Sequence, residues 1–362
     1  MDVELARLLC LPLRGRALFA LLAVSALASA AGVKYRVGVN TGINCDPYRI
    51  SDNGFMALDK FPNAYAWDPV FGLFQIPRLD PDEAIEVNDI NIHGVATGWA
   101  QYDIGGGWIR EVVFRWDRQS GTQIALDFGY RAKGRGINDL GMIAGFYDNQ
   151  GLRGFVSNGG TAWSEMQPMY PGGATAVNFV NNSGLAAGYA MPFPGEGLDQ
   201  PVVWMPNGAL IDMGWVHPLQ DQTFVNGLNE RGNVCGGSYG DLGDIAFIWR
   251  RGSGYEPIWN PYDPGAYIAA HGINDYDDIT GSLYVPGVGL RGFVKKNGQP
   301  IQVLNDVLHS SASGWNVDWS YDINNKGQIA CVGWFNGQRR GIMLQPVKGL
   351  PPKSRSGIRI QE

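Results

Sequence analysis

One short unit recurs along the whole of this chain: an aliphatic residue, Asn, two variable residues, then Gly. It reads GINDLGMIAGF at 136–146, FVNNSGLAAGY at 179–189, GLNERGNVCGG at 227–237 and GINDYDDITGS at 272–282. Anchored on the aliphatic residue, the unit occurs seven times, at Ile50, Ile90, Ile137, Val180, Leu228, Ile273 and Ile323. Asn follows in six copies and Ser51 in the first. Gly stands three residues further on in six, with Asp277 the exception, and a second Gly follows at Gly98, Gly145, Gly188, Gly236 and Gly281. A period of 40–50 residues that fills a chain is the mark of stacked supersecondary units, none of which buries its apolar face alone.

Each unit parses into four short strands. Strand A runs into the aliphatic–Asn pair, as in AYIAAHGI; strand B follows the turn, as in MIAGFY. Strand C carries F-x-W or a reduced form of it (Phe114/Trp116, Val202/Trp204, Phe247/Trp249), and strand D is a brief apolar stretch such as PIQVL. The 51 Gly and 21 Pro, with only 17% charged residues, suit strands joined by tight turns. The expected fold is an all-β, seven-bladed β-propeller of four-stranded blades. The last copy lacks a fourth strand, and KYRVGV at 34–39 is a strand without a blade. Their union would close the ring and remove an exposed edge. A six-bladed ring with a degenerate first unit is the alternative.

Residues 1–30 differ in kind. RGR at 14–16 precedes the apolar run ALFALLAVSALA at 17–28, and Ala28-Ser29-Ala30 forms a small-x-small cleavage sequence. This order is that of a secretory signal peptide, and the run is too short for a membrane span. Asp2 and Glu4 are atypical of its first segment. The expected organisation is a signal peptide at 1–30, one propeller at 31–347 and a disordered tail at 348–362. The expected location is secreted, at the cell surface or periplasmic. Cleavage removes Cys10 and leaves Cys45, Cys235 and Cys331, an odd number with no zinc spacing. Cys235 and Cys331 lie in apolar strand patterns and are expected to be buried thiols. A Cys45–Cys331 bridge is the alternative.

The repeat, of the form GIN-x-x-G-x-[IV]-x-G followed by G/A-F-[LV], resembles that of the extracellular HAF-repeat family of secreted bacterial proteins. The resemblance covers residues 34–347, including the Y-x-V start at Tyr35 and the ending IMLQPV at 342–347. It implies export and a propeller-like fold, and no particular activity. The carboxy-terminal sorting helix of some relatives has no counterpart here.

Chemistry is sought first in the Asn–Gly loop. N-x-x-G makes a tight A–B turn, through Asn bonding to nearby backbone and Gly tolerating positive φ. Oxygen ligands at Asp139, Asn182, Glu230, Asp275 and Asn325 are too few per loop for calcium. Only NDYDD at 274–278 is rich enough to test. No metal or other cofactor is expected, and the four His occupy unlike repeat positions.

The opposite face, with its variable B–C and D–A connections, is the expected binding face. Its B–C segments carry Tyr102, Trp108, Tyr147, Phe193, Tyr239, Tyr284, Trp334 and Phe335; either these contact a ligand or they cover the upper core. Aligned positions near the axis form two rings. Four residues before each anchor stand Asp46, Glu86, Lys133, Ala176, Phe224, Ala269 and Trp319. Two before it stand Tyr48, Asn88, Arg135, Asn178, Asn226, His271 and Tyr321. The candidate ligand-binding residues are therefore Asp46, Glu86, Lys133, Arg135, His271, Trp108, Tyr147 and Tyr239. A net charge of -6 and a pI near 5.3 argue against nucleic acid. The leading expectation is a non-enzymatic exported protein that binds an extracellular glycan or protein. The alternatives are a glycan-active hydrolase or lyase using Asp46 and Glu86, and a structural surface or matrix component.

Overall fold

The computed structural model describes residues 33–191 and 200–347. The expected signal peptide with Cys10, the expected tail at 348–362, and Phe193 lie outside the described residues. One compact unit spans Tyr35–Pro346. The residues flanking it make a second, of which only 33, 34 and 347 are described; there Val347 N donates to Lys34 O (2.7 Å).

Seven four-stranded antiparallel sheets follow one another as blades. Their innermost strands A are Asp46–Ile50, Ile85–Ile90, Ala132–Ile137, Ala174–Val180, Gln220–Leu228, Ile268–Ile273 and Trp315–Ile323, for blades 1 to 7. Blade 7 takes its outer strand from the start of the ring: Tyr35–Asn40 pairs with Gln338–Pro346, Tyr35 opposite Pro346. The expected closure therefore holds, and blade 1 packs against blade 7. The six-bladed alternative is excluded, because the first unit is a full sheet, Asp46–Ile50, Met56–Lys60, Asn63–Asp68 and Gly72–Ile76.

Apolar side chains occupy both faces of each blade, so the core is divided among the blade junctions. Seven buried clusters form among the described residues, one at each junction. Phe114 and Ile85 belong to the junction of blades 1 and 2, and Val225 and Phe247 to that of blades 4 and 5. Cys45, Cys235 and Cys331 are free and buried within these clusters. The alternative Cys45–Cys331 bridge does not form, and all three thiols act as small apolar groups.

The repeated Asn does more than shape its own turn. Asn138 Oδ1 accepts from Leu140 N (3.1 Å) and Met142 N (2.9 Å), which is the local bond its sequence position implies. Its Nδ2 donates to Asn181 O of the next blade (2.9 Å). The same bond to the next blade runs from Asn91, Asn181, Asn229, Asn274 and Asn324, the last reaching Ser51 O of blade 1. Ser51 has no amide to continue the series, so the junction of blades 1 and 2 is the one without it. With Asn138 only 4% exposed, Asn138→Ala leaves the N–H groups of Leu140 and Met142 without partners and takes one of two donors from Asn181 O, which keeps Gly184 N. A loss of about 2–3 kcal/mol is expected in urea unfolding. Asn138→Asp, which keeps the acceptor and loses the donor, should do no better.

A second regularity positions the axial residues. All seven strands A carry a β-bulge at one repeat position, where pairing skips Tyr48, Asn88, Arg135, Asn178, Asn226, His271 or Tyr321. A bulge re-aims side chains that would alternate between faces. It also explains the second Gly of the motif. A Cβ on Gly98 would lie 1.9 Å from Glu86 O, and one on Gly145 would lie 2.0 Å from Lys133 O.

Candidate axial binding site

The bulges turn two consecutive positions of each strand A toward the axis, the second of them Gly136, Gly227 and Gly272 in blades 3, 5 and 6, and the side chains there bound two hollows. Every one of the seven skipped residues lines the upper hollow, on the side of the B–C and D–A connections. It holds about 330 Å³ and is completed by Glu86, Val225 and Trp319, with Arg49 and Phe179 at its base. The lower hollow, about 180 Å³, is bordered by the A–B turns, with the same Arg49 and Phe179 lining it.

Arg49 of blade 1 crosses the axis between the two. Its guanidinium carbon lies 4.7 Å from the centre of the Phe179 ring of blade 4. Its Nη2 donates to Asn226 O of blade 5 (3.0 Å) and its Nη1 to His271 O of blade 6 (3.4 Å). Asp89 and Asp322, one on each neighbouring blade, supply the counter-charge. Burial pushes Asp89 up to about 7 and Asp322 to about 6, against the lowering effect of Arg49 and of backbone donors. Asp89 accepts from Ile90 N and Ile137 N, Asp322 from Ile50 N and Ile323 N.

Around the lower mouth the polar residues of the A–B turns are committed to one another. Ile92 N donates to Asp139, Asp139 N to Asn182, Asn182 N to Glu230, Glu230 N to Asp275, Asp275 N to Asn325, and Asn325 N to Asp52. NDYDD, the segment singled out for calcium, is engaged in the same manner. Asp277 stands at φ 61 where other copies have Gly. Its carboxylate offsets that strain by accepting from Asn229, Asn233 and Arg250. Asp278 accepts from Lys296 Nζ (2.8 Å) and Asn297 N (3.0 Å). The oxygens that suggested a cation are acceptors for protein donors.

The candidate residues separate into three groups. Glu86, Arg135 and His271 line the upper hollow together. His271 is neutral at pH 7, because burial pushes it down to about 4. Its Nδ1 donates to Ser320 O (2.7 Å), so Nε2 carries the lone pair, 3.4 Å from Tyr267 Oη. The imidazole stacks on Trp319 at 4.8 Å.

Asp46 and Lys133 sit just above, each with a partner. Asp46 Oδ1 accepts from Tyr321 Oη (2.8 Å) and from Arg339. Lys133 Nζ lies 3.9 Å from the Trp99 ring centre. Asp46 is therefore not the free partner of Glu86. That place is held by Asp59, paired across from Asp46 on strand B and only 6% exposed. Burial, then Glu86, raises Asp59 to about 7.

The three aromatic candidates lie away from the hollow. Trp108 is 73% exposed at the tip of the B–C hairpin of blade 2. Tyr147 is buried between blades, stacked on Phe128 at 4.4 Å, with its hydroxyl donating to Glu165 (2.6 Å). Tyr239 is half-buried, edge-on to Phe224 at 5.3 Å. Of the two earlier interpretations of these aromatics, Tyr147 follows the one in which they cover the core.

Seven buried side-chain polar atoms have no hydrogen-bond partner among the described residues, and two of them, Arg135 Nε and Trp319 Nε1, belong to residues that line this hollow. Such atoms are uncommon in folded proteins, and a pair of unmet donors in one hollow suits a ligand that brings acceptors.

No protein-family model and no curated protein matches this chain. Among solved structures, a streptogramin B lyase is similar over 88% of this chain and 100% of its own, at 12% identity and a TM-score of 0.54. Virginiamycin B lyase from Staphylococcus aureus matches over 87% and 100%, at 11% identity and 0.55. An oligogalacturonate lyase in complex with manganese matches over 88% and 95%, at 8% identity and 0.55. At such identities the likeness is one of fold.

Proposed function

We propose that this chain is an exported β-propeller binding protein of the HAF-repeat type, and that it receives the end of an extracellular glycan or another small hydroxylated ligand in the upper axial hollow. The observation that carries this reading is a hollow lined by all seven bulge residues, in which two buried donors, Arg135 Nε and Trp319 Nε1, have no partner among the described residues. The lining has the composition of a sugar site, with flat aromatic faces (Tyr48, Trp319, Tyr321) beside planar polar groups (Asn88, Asn178, Asn226, Glu86, Arg135). Its volume is at the lower end of small-molecule pockets, roughly 300–1,000 Å³. Export rests on the apolar run at 17–28 and its cleavage sequence. Removing residues 1–30 takes away no strand of the ring, whose first is Tyr35–Asn40.

Calorimetric titration with a panel of mono- and oligosaccharides tests the reading. Trp319→Ala is expected to weaken binding at least tenfold, while Trp108→Ala changes it less than threefold. The reverse order would move the site from the axis to the loop tips.

A second reading, a glycan-active hydrolase or lyase, draws on two observations. His271 keeps an unprotonated Nε2 in the hollow, and Asp59 holds a proton near neutrality beside Glu86. A neutral imidazole and a protonated carboxyl are the base and acid that such chemistry uses. Release of shortened glycan that stops in both His271→Ala and Glu86→Gln would replace the binding reading with this one.

A further inference from the structure

The upper hollow contains a cation that the protein leaves almost without acceptors. Arg135 presents five N–H donors, and the only acceptor the described residues offer is Asn88 Oδ1, at 3.5 Å from Nη1. Its Nε is buried with no partner, and its guanidinium carbon lies 5.6 Å from the Phe146 ring centre. Among the described residues it enters no ion pair, whereas Arg110, Arg131, Arg250 and Arg339 each hold a carboxylate. Arg49, the other axial arginine, has two carbonyls, a ring and two flanking Asp. A desolvated guanidinium in this condition is costly for the protein to hold. Its planar fork is the geometry that receives a carboxylate with two parallel bonds.

The charges nearby indicate the sign and size of the missing group. Lys133 and Arg135 leave one strand toward the same region, where Lys133 has Glu111 and then Glu86 as its nearest acids. Arg135 has Glu86 as its nearest acid and forms an ion pair with no carboxylate among the described residues. Burial lowers Arg135 from the usual arginine range and Glu86 only partly restores it, as expected of a cation whose counter-ion is not in the protein.

Resting on the axial-hollow reading, we propose that the ligand is a hydroxylated carboxylate, a sugar acid such as a uronate, whose carboxylate is held by Arg135 while its ring lies against Trp319 and Tyr321. The asparagines of the bulge ring and Glu86 face its hydroxyls.

The test compares D-glucuronate and D-galacturonate with D-glucose and D-galactose, their neutral parents, by calorimetry on the intact protein, with gluconate as an open-chain acid. Each uronate is expected to bind at least tenfold more tightly than its parent, and the preference should shrink in added salt. Arg135→Gln should abolish the preference, lowering uronate affinity at least tenfold more than it lowers neutral-sugar affinity. The same variant, without ligand, should unfold about 2–5 °C higher, because it removes a partly buried charge that has no carboxylate partner among the described residues. A merely structural arginine would lower that temperature and overturn the inference. Neutral sugars binding as tightly as acids, or an acid preference that survives Arg135→Gln, would overturn this inference alone. Tight gluconate binding without uronate binding would replace the ring acid with an open-chain one and so overturn the uronate assignment. Binding of none of the five would overturn the axial-hollow reading with it.

Discussion

Arg49→Ala is expected to destabilise the ring by about 3–5 kcal/mol at pH 8, a fall in melting temperature of roughly 5–15 °C. The magnitude follows from what the side chain leaves behind. Arg49 bonds to backbone of blades 5 and 6, stacks on blade 4 and lies between Asp89 and Asp322 of blades 2 and 7. Its removal leaves two buried carboxylates without the cation that holds their pKa values down. They respond by taking up protons at higher pH, so the penalty should shrink on acidification. A variant as destabilised at pH 5 as at pH 8 would show that packing, not charge, is what Arg49 contributes. Arg49→Lys should recover less than half of the loss, since an ammonium cannot bond two carbonyls and lie flat on Phe179. Adding Asp89→Asn and Asp322→Asn to Arg49→Met should recover most of it, because the charges that needed an arginine are then gone.

Arg49 also shows where the sequence stops being legible. The seven copies of aliphatic–Asn–x–x–Gly are enough to infer seven blades, the A–B turn and the strand that closes the ring, because each rests on self-similarity. Position two before the anchor is likewise recoverable, and all seven of its residues line the upper hollow. The position one before the anchor is not. Simple alternation points Arg49, Asp89, Phe179 and Asp322 away from the axis, and only the bulge turns them back. A trace of it is present: that position holds Gly136, Gly227 and Gly272 in three copies and a charged residue in three others. Neither kind suits a strand face packed on a neighbouring blade.

The roles of Asn138 and Tyr147 fail for a different reason. A single repeat contains the local bonds of its Asn but not the carbonyl of the next blade, which arrives only when the ring closes. Tyr147 has the spacing of a loop aromatic, yet Phe128 from the preceding connection and Trp163 from an outer strand enclose it. Asp59 lies on strand B, outside both axial rings defined by strand A, so no alignment of strand A finds it.

Asp59→Asn is expected to stabilise the protein at pH 8 and to flatten its stability between pH 8 and pH 5. In the folded ring Asp59 is opposed by Asp46 on strand A and Glu86 on the next blade, with Tyr48 nearby and Arg135 beyond it. Burial first and Glu86 second raise it from 3.8 to about 7. A raised carboxyl binds its proton more tightly in the folded state than in the unfolded chain. The penalty for ionising it is therefore fully present above about pH 7, and it is relieved as pH falls toward 4. At about 1.4 kcal/mol per pH unit the penalty is at most about 4 kcal/mol. Asp89 and Asp322 act in the same direction, with values near 7 and 6. His271 opposes them, since a histidine lowered to about 4 disfavours folding as pH drops below its usual value. Three groups against one leave the intact protein more stable at pH 5.5 than at pH 8, the reverse of ordinary acid denaturation. Melting curves at the two pH values, for the intact chain and Asp59→Asn, measure the difference directly. A carboxyl kept at such a cost beside a binding hollow has a functional reason to be there. If Asp59→Asn is more stable and also binds ligand more weakly at pH 5.5, the proton on Asp59 is a donor to that ligand. If stability rises and affinity is unchanged at both pH values, the proton on Asp59 takes no part in binding. If the variant is less stable at pH 8, the carboxylate is ionised and bonded in the native ring, and the axial charge count must be redrawn with one more negative group.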